Sequence, residues 1–432
     1  MFFFLRSTSF RFWTVFLLLS LTCIAVNQIL IPKHEVQQSL LTVASKQTEG
    51  DQQQNFEGTR SRHPLESNNP QAKQHIVFLK VHKAASSTLQ NVFQRYALEN
   101  NLNLLMPTST YGVHINESGT DISKHSLVPA SGKNRFMYDI LCQHIVFDKK
   151  IISNFFPEDT VYVGVIREPF SQFVSAFKYY SQVWREKDLV LEIHENPDDP
   201  IAGFLDNLDY HSMMDPRSSK WNNRISVDFG FPVTNFEAAK RNVSLIQEFI
   251  KDIESKFTII LVSELFEESM VMLRRLLGWS TKDIISLHKN TASQHRKGDS
   301  GWAGNNNVSE SLMAKFKTWA PIDLAFYSHF NGLFQERLQA QPPDFHQEVE
   351  EFKQLQLVIA PECDSLMSGV RTEYKHPATK YSSGFTLTKL DCFRMTLNEG
   401  QLTNIVKHEQ MKRYFQSTHS TAIDRILAKM NR

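Results

Sequence analysis

The chain has 432 residues, with 47 Lys+Arg against 46 Asp+Glu, and the resulting formal charge of +1 excludes a basic, nucleic-acid-coating protein. A 22% charged and 41% hydrophobic composition lies in the ordinary globular range, so wholesale disorder is excluded as well. Four Cys are too few for a disulfide scaffold, their lack of CxxC or Cys/His ligand spacing speaks against a zinc module, and the length leaves room for more than one domain.

Along the chain, residues 1–11 carry Arg6 and Arg11, and residues 12–31 follow as twenty residues without a charge. At 1.5 Å rise per residue such a run spans the roughly 30 Å hydrocarbon core of a bilayer. The preceding positive charges predict a cytosolic N-terminus and a type II single-pass membrane anchor; a cleaved signal peptide ending near Cys23-Ile24-Ala25 is the alternative. Residues 32–74 hold eight Gln, one aromatic (Phe56), Pro64 and Pro70, a composition that cannot bury enough apolar surface to offset chain entropy. They are expected to form a flexible stem, leaving 75–432 as the folded, lumenal domain. Sequons at Asn116, Asn242 and Asn307 are candidate glycosylation sites and agree with that location. In an oxidising lumen Cys142, Cys363 and Cys392 supply one disulfide and one leftover thiol, and the sequence leaves the pairing open.

The folded part opens with an apolar run, His75 to Lys80, of buried-strand length. A small-residue loop follows, Val81-His82-Lys83-Ala84-Ala85-Ser86-Ser87-Thr88, and then Leu89, Val92, Phe93 and Tyr96 at helical spacing. Strand, small-residue loop and helix is a phosphate cradle: small side chains admit the anion to the backbone, the helix N-terminus offers unpaired N–H groups, hydroxyls add donors and Lys83 adds charge. The nucleoside-triphosphatase form GxxxxGK[ST] is absent, which speaks against a P-loop kinase. The bland alternative is a lysine beside capping serines at an ordinary helix start.

A second strand, Thr160 to Ile166, ends in Arg167-Glu168-Pro169, and Phe170, Phe173, Val174 and Phe177 then mark one helix face with Ser175 off it. Ligands of open α/β sheets bind at the carboxyl ends of strands, so Arg167 and the Lys83 loop are expected to face one crevice. An Arg fork with a hydroxyl suits a second, separate phosphate. The fold class expected is α/β, with a P-loop-like central parallel sheet flanked by helices and preceded by one transmembrane helix.

The loop Lys80 to Thr88, followed by Arg167-Glu168-Pro169 and Ser175, resembles the Golgi carbohydrate sulfotransferases, and within them the galactose-3-O-sulfotransferase family. Further similarity lies in Cys142-Gln143-His144, in Leu261 to Glu264 continuing to Leu276-Leu277-Gly278-Trp279, and in Tyr327 to Asn331. The resemblance implies a Golgi enzyme that moves the sulfuryl group of 3′-phosphoadenosine 5′-phosphosulfate (PAPS), without a metal, to a galactose-terminated glycolipid such as galactosylceramide, or to a glycan. It implies that Lys83, Ala85, Ser86, Ser87 and Thr88 hold the 5′-phosphosulfate, and Arg167 with Ser175 the 3′-phosphate. Val81 and Ala84 stand where the family usually carries Thr. Arg296-Lys297-Gly298, followed by Gly301-Trp302, resembles a late loop that covers the nucleotide in cytosolic sulfotransferases. Lys83 is expected to meet the leaving oxygen, and a histidine to take the acceptor's proton. His144, whose position resembles the base of uronyl 2-O-sulfotransferases, is preferred over His82.

The rival readings are a uronyl 2-O-sulfotransferase, which would want a long basic groove for a polyanion and against which the near-zero net charge argues mildly, and an inactive membrane-anchored binding module of the same fold. Met270 to Leu277 and the Phe326, Tyr327, Phe330, Phe334 cluster read as core faces of helices. Residues 361–432 carry two weak helical patterns and no assigned chemistry, and a homo-oligomer is left open.

Overall fold

The computed structural model describes residues 72–109, 114–116, 122–132, 134–208, 221–287 and 309–430. The expected anchor and all but the last residues of the stem lie outside them, and among the described residues no helix is long and apolar enough to cross a membrane.

The described strands are β1 (Ile76–Phe78), β2 (His114–Asn116), β3 (Ile140–Leu141), β4 (His144–Ile145), β5 (Val161–Ile166), β6 (Ile259–Val262), β7 (Glu373–His376) and β8 (Phe385–Thr388). The central sheet has the order β3-β1-β5-β6 and is parallel throughout. Its strands are buried along their whole length, as continuous apolar runs are when helices cover both faces of a sheet. Two small sheets complete the set, β2 with β4 in parallel and β7 with β8 antiparallel. The principal helices are α1 (Ser86–Glu99), α2 (Pro169–Gln182), α3 (Arg224–Asp228), α4 (Phe266–Leu277), α5 (Pro321–Gln339), α6 (Phe345–Met367), α7 (Lys389–Thr396) and α8 (Glu399–Met430). The expected α/β architecture with a helix-flanked parallel sheet is what forms.

Two features of this packing position the site. Register places Ile76 opposite Val161 and Phe78 opposite Val163, and the Leu79 N–H donates to the Val163 carbonyl at 2.8 Å. The carboxyl ends of β1 and β5 therefore open side by side, one into α1 and the other into α2. Gly164 in β5 is the second feature, since a Cβ there would lie 2.8 Å from the Phe229 ring. Its absence lets Phe229 seat against the sheet, and Phe229 anchors the end of α3.

The helix faces read from spacing are core. Met270, Leu273 and Leu277 are buried, as are Phe326, Phe330 and Phe334, with Tyr327 partly so. Phe170, Phe173 and Phe177 join Phe204, Trp221, Phe316 and Trp319 in a second aromatic cluster, which fixes the rotation of α2 and leaves Ser175 off its buried face. The C-terminal stretch is helical and is tied down in two ways. Cys363 on α6 is bonded to Cys392 on α7, which resolves the open pairing and leaves Cys142 as a buried thiol pushed up to about 12 by burial. Asn398 and Gln401 then form a reciprocal cap, each side chain accepting the other's backbone N–H at 3.0 Å, so that α8 begins at Glu399. Buried Gln94 on α1 donates to Thr403 on α8 at 2.8 Å, and Gln410 on α8 brackets the Leu104 backbone, so polar contacts fix α8 against α1 and the segment that follows it.

The disulfide closes a segment with a sequence separation of 29. Chain-entropy reasoning for a loop of that length gives about 3–4 kcal/mol. Cys392→Ser is expected to lower stability by that order in denaturant unfolding, and a Cys142→Ser control is expected to leave the disulfide intact in non-reducing peptide mass analysis.

Candidate active site

After β1 the chain turns through Lys80–Ala85 and enters α1 at Ser86, so Ser86, Ser87 and Thr88 form its first turn. The sequence pattern starts the helix at Leu89. It begins earlier because Ala85 adopts the left-handed conformation, φ 56°, and terminates the loop as N-cap. Lys83 is left-handed too, φ 59°. Non-glycine residues adopt this conformation at a cost of about 1–2 kcal/mol each, so the surroundings must hold the loop. Ser86 Oγ donates to the Val81 carbonyl at 2.5 Å, Arg167 Nη1 to the Lys83 carbonyl at 3.2 Å, and Gln172 Nε2 to the His82 carbonyl at 3.1 Å. The His82 N–H donates to Asp228 at 2.8 Å. Turns of this kind bring backbone N–H groups together into an anion-binding nest, here at a helix N-terminus.

The cations gather at the same place. Arg167, at the end of β5, is joined to the Lys83 loop as the adjacent strand ends predict. Lys83 Nζ lies 3.9 Å over the Tyr179 ring on α2, a cation–π contact. Burial, then the neighbouring Arg167 charge, brings Lys83 down to about 8, although Glu399 acts in the opposite sense. Lys80 is fully buried and its Nζ lies 2.6 Å from Glu399 Oε2. Burial lowers its pKa in spite of that partner. Ser87 Oγ donates to the other Glu399 oxygen. Burial would raise the Glu399 carboxyl, but Lys80 and the Ser87 hydroxyl outweigh it and hold it below the ordinary carboxylate range. Ser175 is half-buried on the second turn of α2.

The two candidate bases are stacked, ring centroids 4.0 Å apart and 23° from parallel, and both are buried. His82 Nδ1 lies 2.8 Å from Asp228 Oδ2, and His144 Nδ1 lies 2.9 Å from the Lys80 carbonyl. The Lys80 carbonyl only accepts, so His144 carries its proton on Nδ1 and Nε2 is its basic atom. His82 Nδ1 has the accepting Asp228 carboxylate at 2.8 Å and the donating Arg224 Nε at 3.2 Å, and the shorter contact to the carboxylate favours the proton on Nδ1. Asp228 also pairs with Arg224 Nη2 at 2.7 Å. Burial would raise the Asp228 carboxyl, but Arg224 and His82 hold it down. Asp323 on α5 fixes α3 in turn, accepting from the Ser226 N–H at 2.7 Å, the Ser226 hydroxyl at 2.6 Å and the Ile225 N–H at 3.1 Å.

The structure thus brings together Lys83, Ala85, Ser86, Ser87, Thr88, Arg167, His82 and His144. Arg296, Lys297, Gly298 and Asn307 lie outside the described residues. Asn116 is in β2, and Asn242 is exposed at a helix N-cap, both away from the cradle loop in sequence. Sequence reasoning missed the partners Glu399, Asp228, Arg224 and Tyr179, and gave Lys80 no role. A lysine ending an apolar strand implies a buried counter-charge, but nothing local says where it comes from. For residues 361–432 the absence of assigned chemistry is corrected, because Glu399 reaches the cradle.

Because Lys83 is charged below about 8, an anion gains its attraction there without taking up a proton. Above that pH, binding must first protonate the lysine. Affinity for adenosine 3′,5′-bisphosphate, whose phosphates complete their second ionisation by about pH 7, is therefore expected to be level between about pH 7 and 7.5 and to fall by up to tenfold per unit above 8. Lys83→Met is expected to weaken binding by about 10–100-fold, the worth of a charge-assisted hydrogen bond, and to abolish the alkaline fall. Isothermal titration across pH checks both.

A family model described as galactose-3-O-sulfotransferase matches residues 9–367, a range that contains both strand ends and both histidines. Galactose-3-O-sulfotransferase 2 of Mus musculus is 26% identical over 291 residues, 67% of this chain and 69% of the relative. Galactose-3-O-sulfotransferase 3 of Mus musculus is 30% identical over 277 residues, 64% of this chain and 60% of the relative. Galactosylceramide sulfotransferase of Homo sapiens is 27% identical over 271 residues, 62% of this chain and 59% of the relative. The chain thus spans about three fifths of the length of these last two. With a match over most of its length, the chain belongs to the galactose-3-O-sulfotransferase family.

Proposed function

We propose that this chain transfers the sulfuryl group of PAPS to a hydroxyl, O3 by family resemblance, of a β-galactosyl residue on a glycolipid or glycoprotein glycan. The observation that carries this reading is the contact between Arg167 and the strained Lys83 loop. Two cationic strand ends, 84 residues apart in sequence, meet at this contact, an arrangement that supports a ligand with two separate phosphates. The relatives named for galactose and galactosylceramide support a galactosyl acceptor. The uncharged run at 12–31 supports a type II Golgi anchor, and the Cys363–Cys392 bond suits an oxidising lumen.

When bound, the donor supplies an activated sulfuryl group and a phosphate leaving group. The chain's residues do the rest. The loop N–H groups and the α1 terminus orient the 5′ end, and Arg167 with Ser175 holds the 3′-phosphate. Lys83, poised over Tyr179, neutralises charge that develops on the leaving oxygen. For the base, the Asp228 carboxylate moves the preference from His144 to His82. A carboxylate 2.8 Å behind Nδ1 stabilises the imidazolium that forms at Nε2, against the opposing charge of Arg224, whose Nε is 3.2 Å from the same atom, whereas the carbonyl behind His144 carries no full charge. Two rings stacked at 4.0 Å cannot both be charged cheaply, so one proton is accepted and His144 stays neutral.

Transfer of labelled sulfate from PAPS is expected onto galactosylceramide, lactosylceramide or free galactosides and not onto desulfated heparan. Transfer to desulfated heparan alone would instead identify a uronyl enzyme, and nucleotide binding with no transfer a binding module. His82→Asn is expected to lower kcat by about 10²–10⁴-fold with nucleotide affinity near wild type, and His144→Asn by much less. The reverse order would make His144 the base.

A further inference from the structure

We infer that Glu399 is a specificity-determining residue that weights the cradle toward the sulfated donor and against the desulfated product nucleotide. This rests on the donor assignment above and concerns a residue beyond 367, where the family match ends.

Glu399 is the first residue of α8, and the Asn398–Gln401 cap fixes where that helix starts. Its carboxylate takes a hydrogen bond from each of two cradle groups, the Lys80 ammonium and the Ser87 hydroxyl. Its side chain is 32% open to solvent, whereas Lys80 is fully enclosed. Ser87 stands in the first turn of α1, the helix end toward which an anion is drawn. A hydroxyl has one proton, and that of Ser87 is given to Glu399. An anion arriving at this turn therefore meets a negative charge already seated on two of its donors.

The size of the penalty depends on the anion's local charge. In the phosphosulfate the 5′-phosphorus is bonded to an ester oxygen and to the oxygen bridging to sulfur, so its free oxygens share a single charge. In the reaction the acceptor oxygen bonds to sulfur and the bridging S–O bond breaks, with its electron pair staying on the phosphate. The acceptor's proton goes to the histidine base, and the sulfuryl group leaves with its own charge. The 5′-phosphate is then a monoester with a second pKa near 6, carrying close to two charges at neutral pH. Lys83 faces donor and product alike. Donor and product each carry about two charges at the 5′ end, but in the donor one of them lies on the sulfuryl group and in the product both lie on the phosphate oxygens, so with the phosphate at Ser87 the step that completes transfer brings a second charge toward Glu399 and favours release.

The test is equilibrium binding of PAPS and of adenosine 3′,5′-bisphosphate, without acceptor, to wild type, Glu399→Gln and Glu399→Asp between pH 5.5 and 7.5. For Glu399→Gln the product is expected to bind about five- to tenfold tighter at pH 7.5, with donor affinity changed far less, the scale of one added unit-charge repulsion at a partly open site. As pH rises through about 6 and the product gains its second 5′ charge, the gain in product affinity from Glu399→Gln is expected to grow while its effect on donor affinity stays level. Glu399→Asp keeps the charge and is expected to keep the preference. Thermal unfolding without ligand verifies that each variant folds. Equal shifts for both nucleotides, or weaker product binding in Glu399→Gln, overturn the inference while leaving the donor assignment standing. Wild type that binds neither nucleotide overturns both.

Discussion

Three cations, Lys80, Lys83 and Arg167, stand at the ends of two adjacent strands, and the charges of Arg167 and Lys80 add to burial in bringing the Lys83 ammonium down. The site forms because carboxylates from remote parts of the chain share it. Glu399 is bonded to Lys80, and Asp228 holds the Arg224 and His82 pair beneath the loop. Compensation is partial, since Lys83 remains down at about 8 under burial and its Arg167 neighbour. A cradle left short of negative charge in this way binds an anion strongly, because the anion relieves a cost already met in folding.

The same constraint accounts for the loop's conformation. Lys83 and Ala85 sit in left-handed wells that alanine and lysine disfavour, and four different elements grip the loop to keep them there. Strain held by surrounding structure is characteristic of a preorganised site, one whose loop binding does not have to order. Gly164 contributes from a distance. By admitting Phe229 to the sheet it sets α3, and α3 carries both Arg224 and Asp228.

Much of this was legible in the sequence, for reasons particular to each element. β1 and β5 are continuous apolar runs, and the Phe face of α2 repeats at helical spacing, so the two strand–loop–helix units and the cationic end of each could be read directly. The start of α1 could not, because nothing about an alanine announces a left-handed N-cap. The partners of the cradle were equally hidden. Asp228 lies 146 residues from His82, and Glu399 lies 319 from Lys80. Asn398 and Gln401 mark a helix start by their spacing, yet that signal says where α8 begins and not what its first residue touches. The disulfide required α6 and α7 to pack before Cys363 could be told from Cys142.

The central claim is that β1 and β5 present separate receptors for the two phosphates of one nucleotide. The most direct measurement is a crystal structure of the complex with adenosine 3′,5′-bisphosphate. The account predicts the 5′-phosphate on the loop N–H groups at Lys83 and the first turn of α1, and the 3′-phosphate on Arg167 and Ser175. A nucleotide bound in the opposite sense, or anywhere else on the domain, would contradict it.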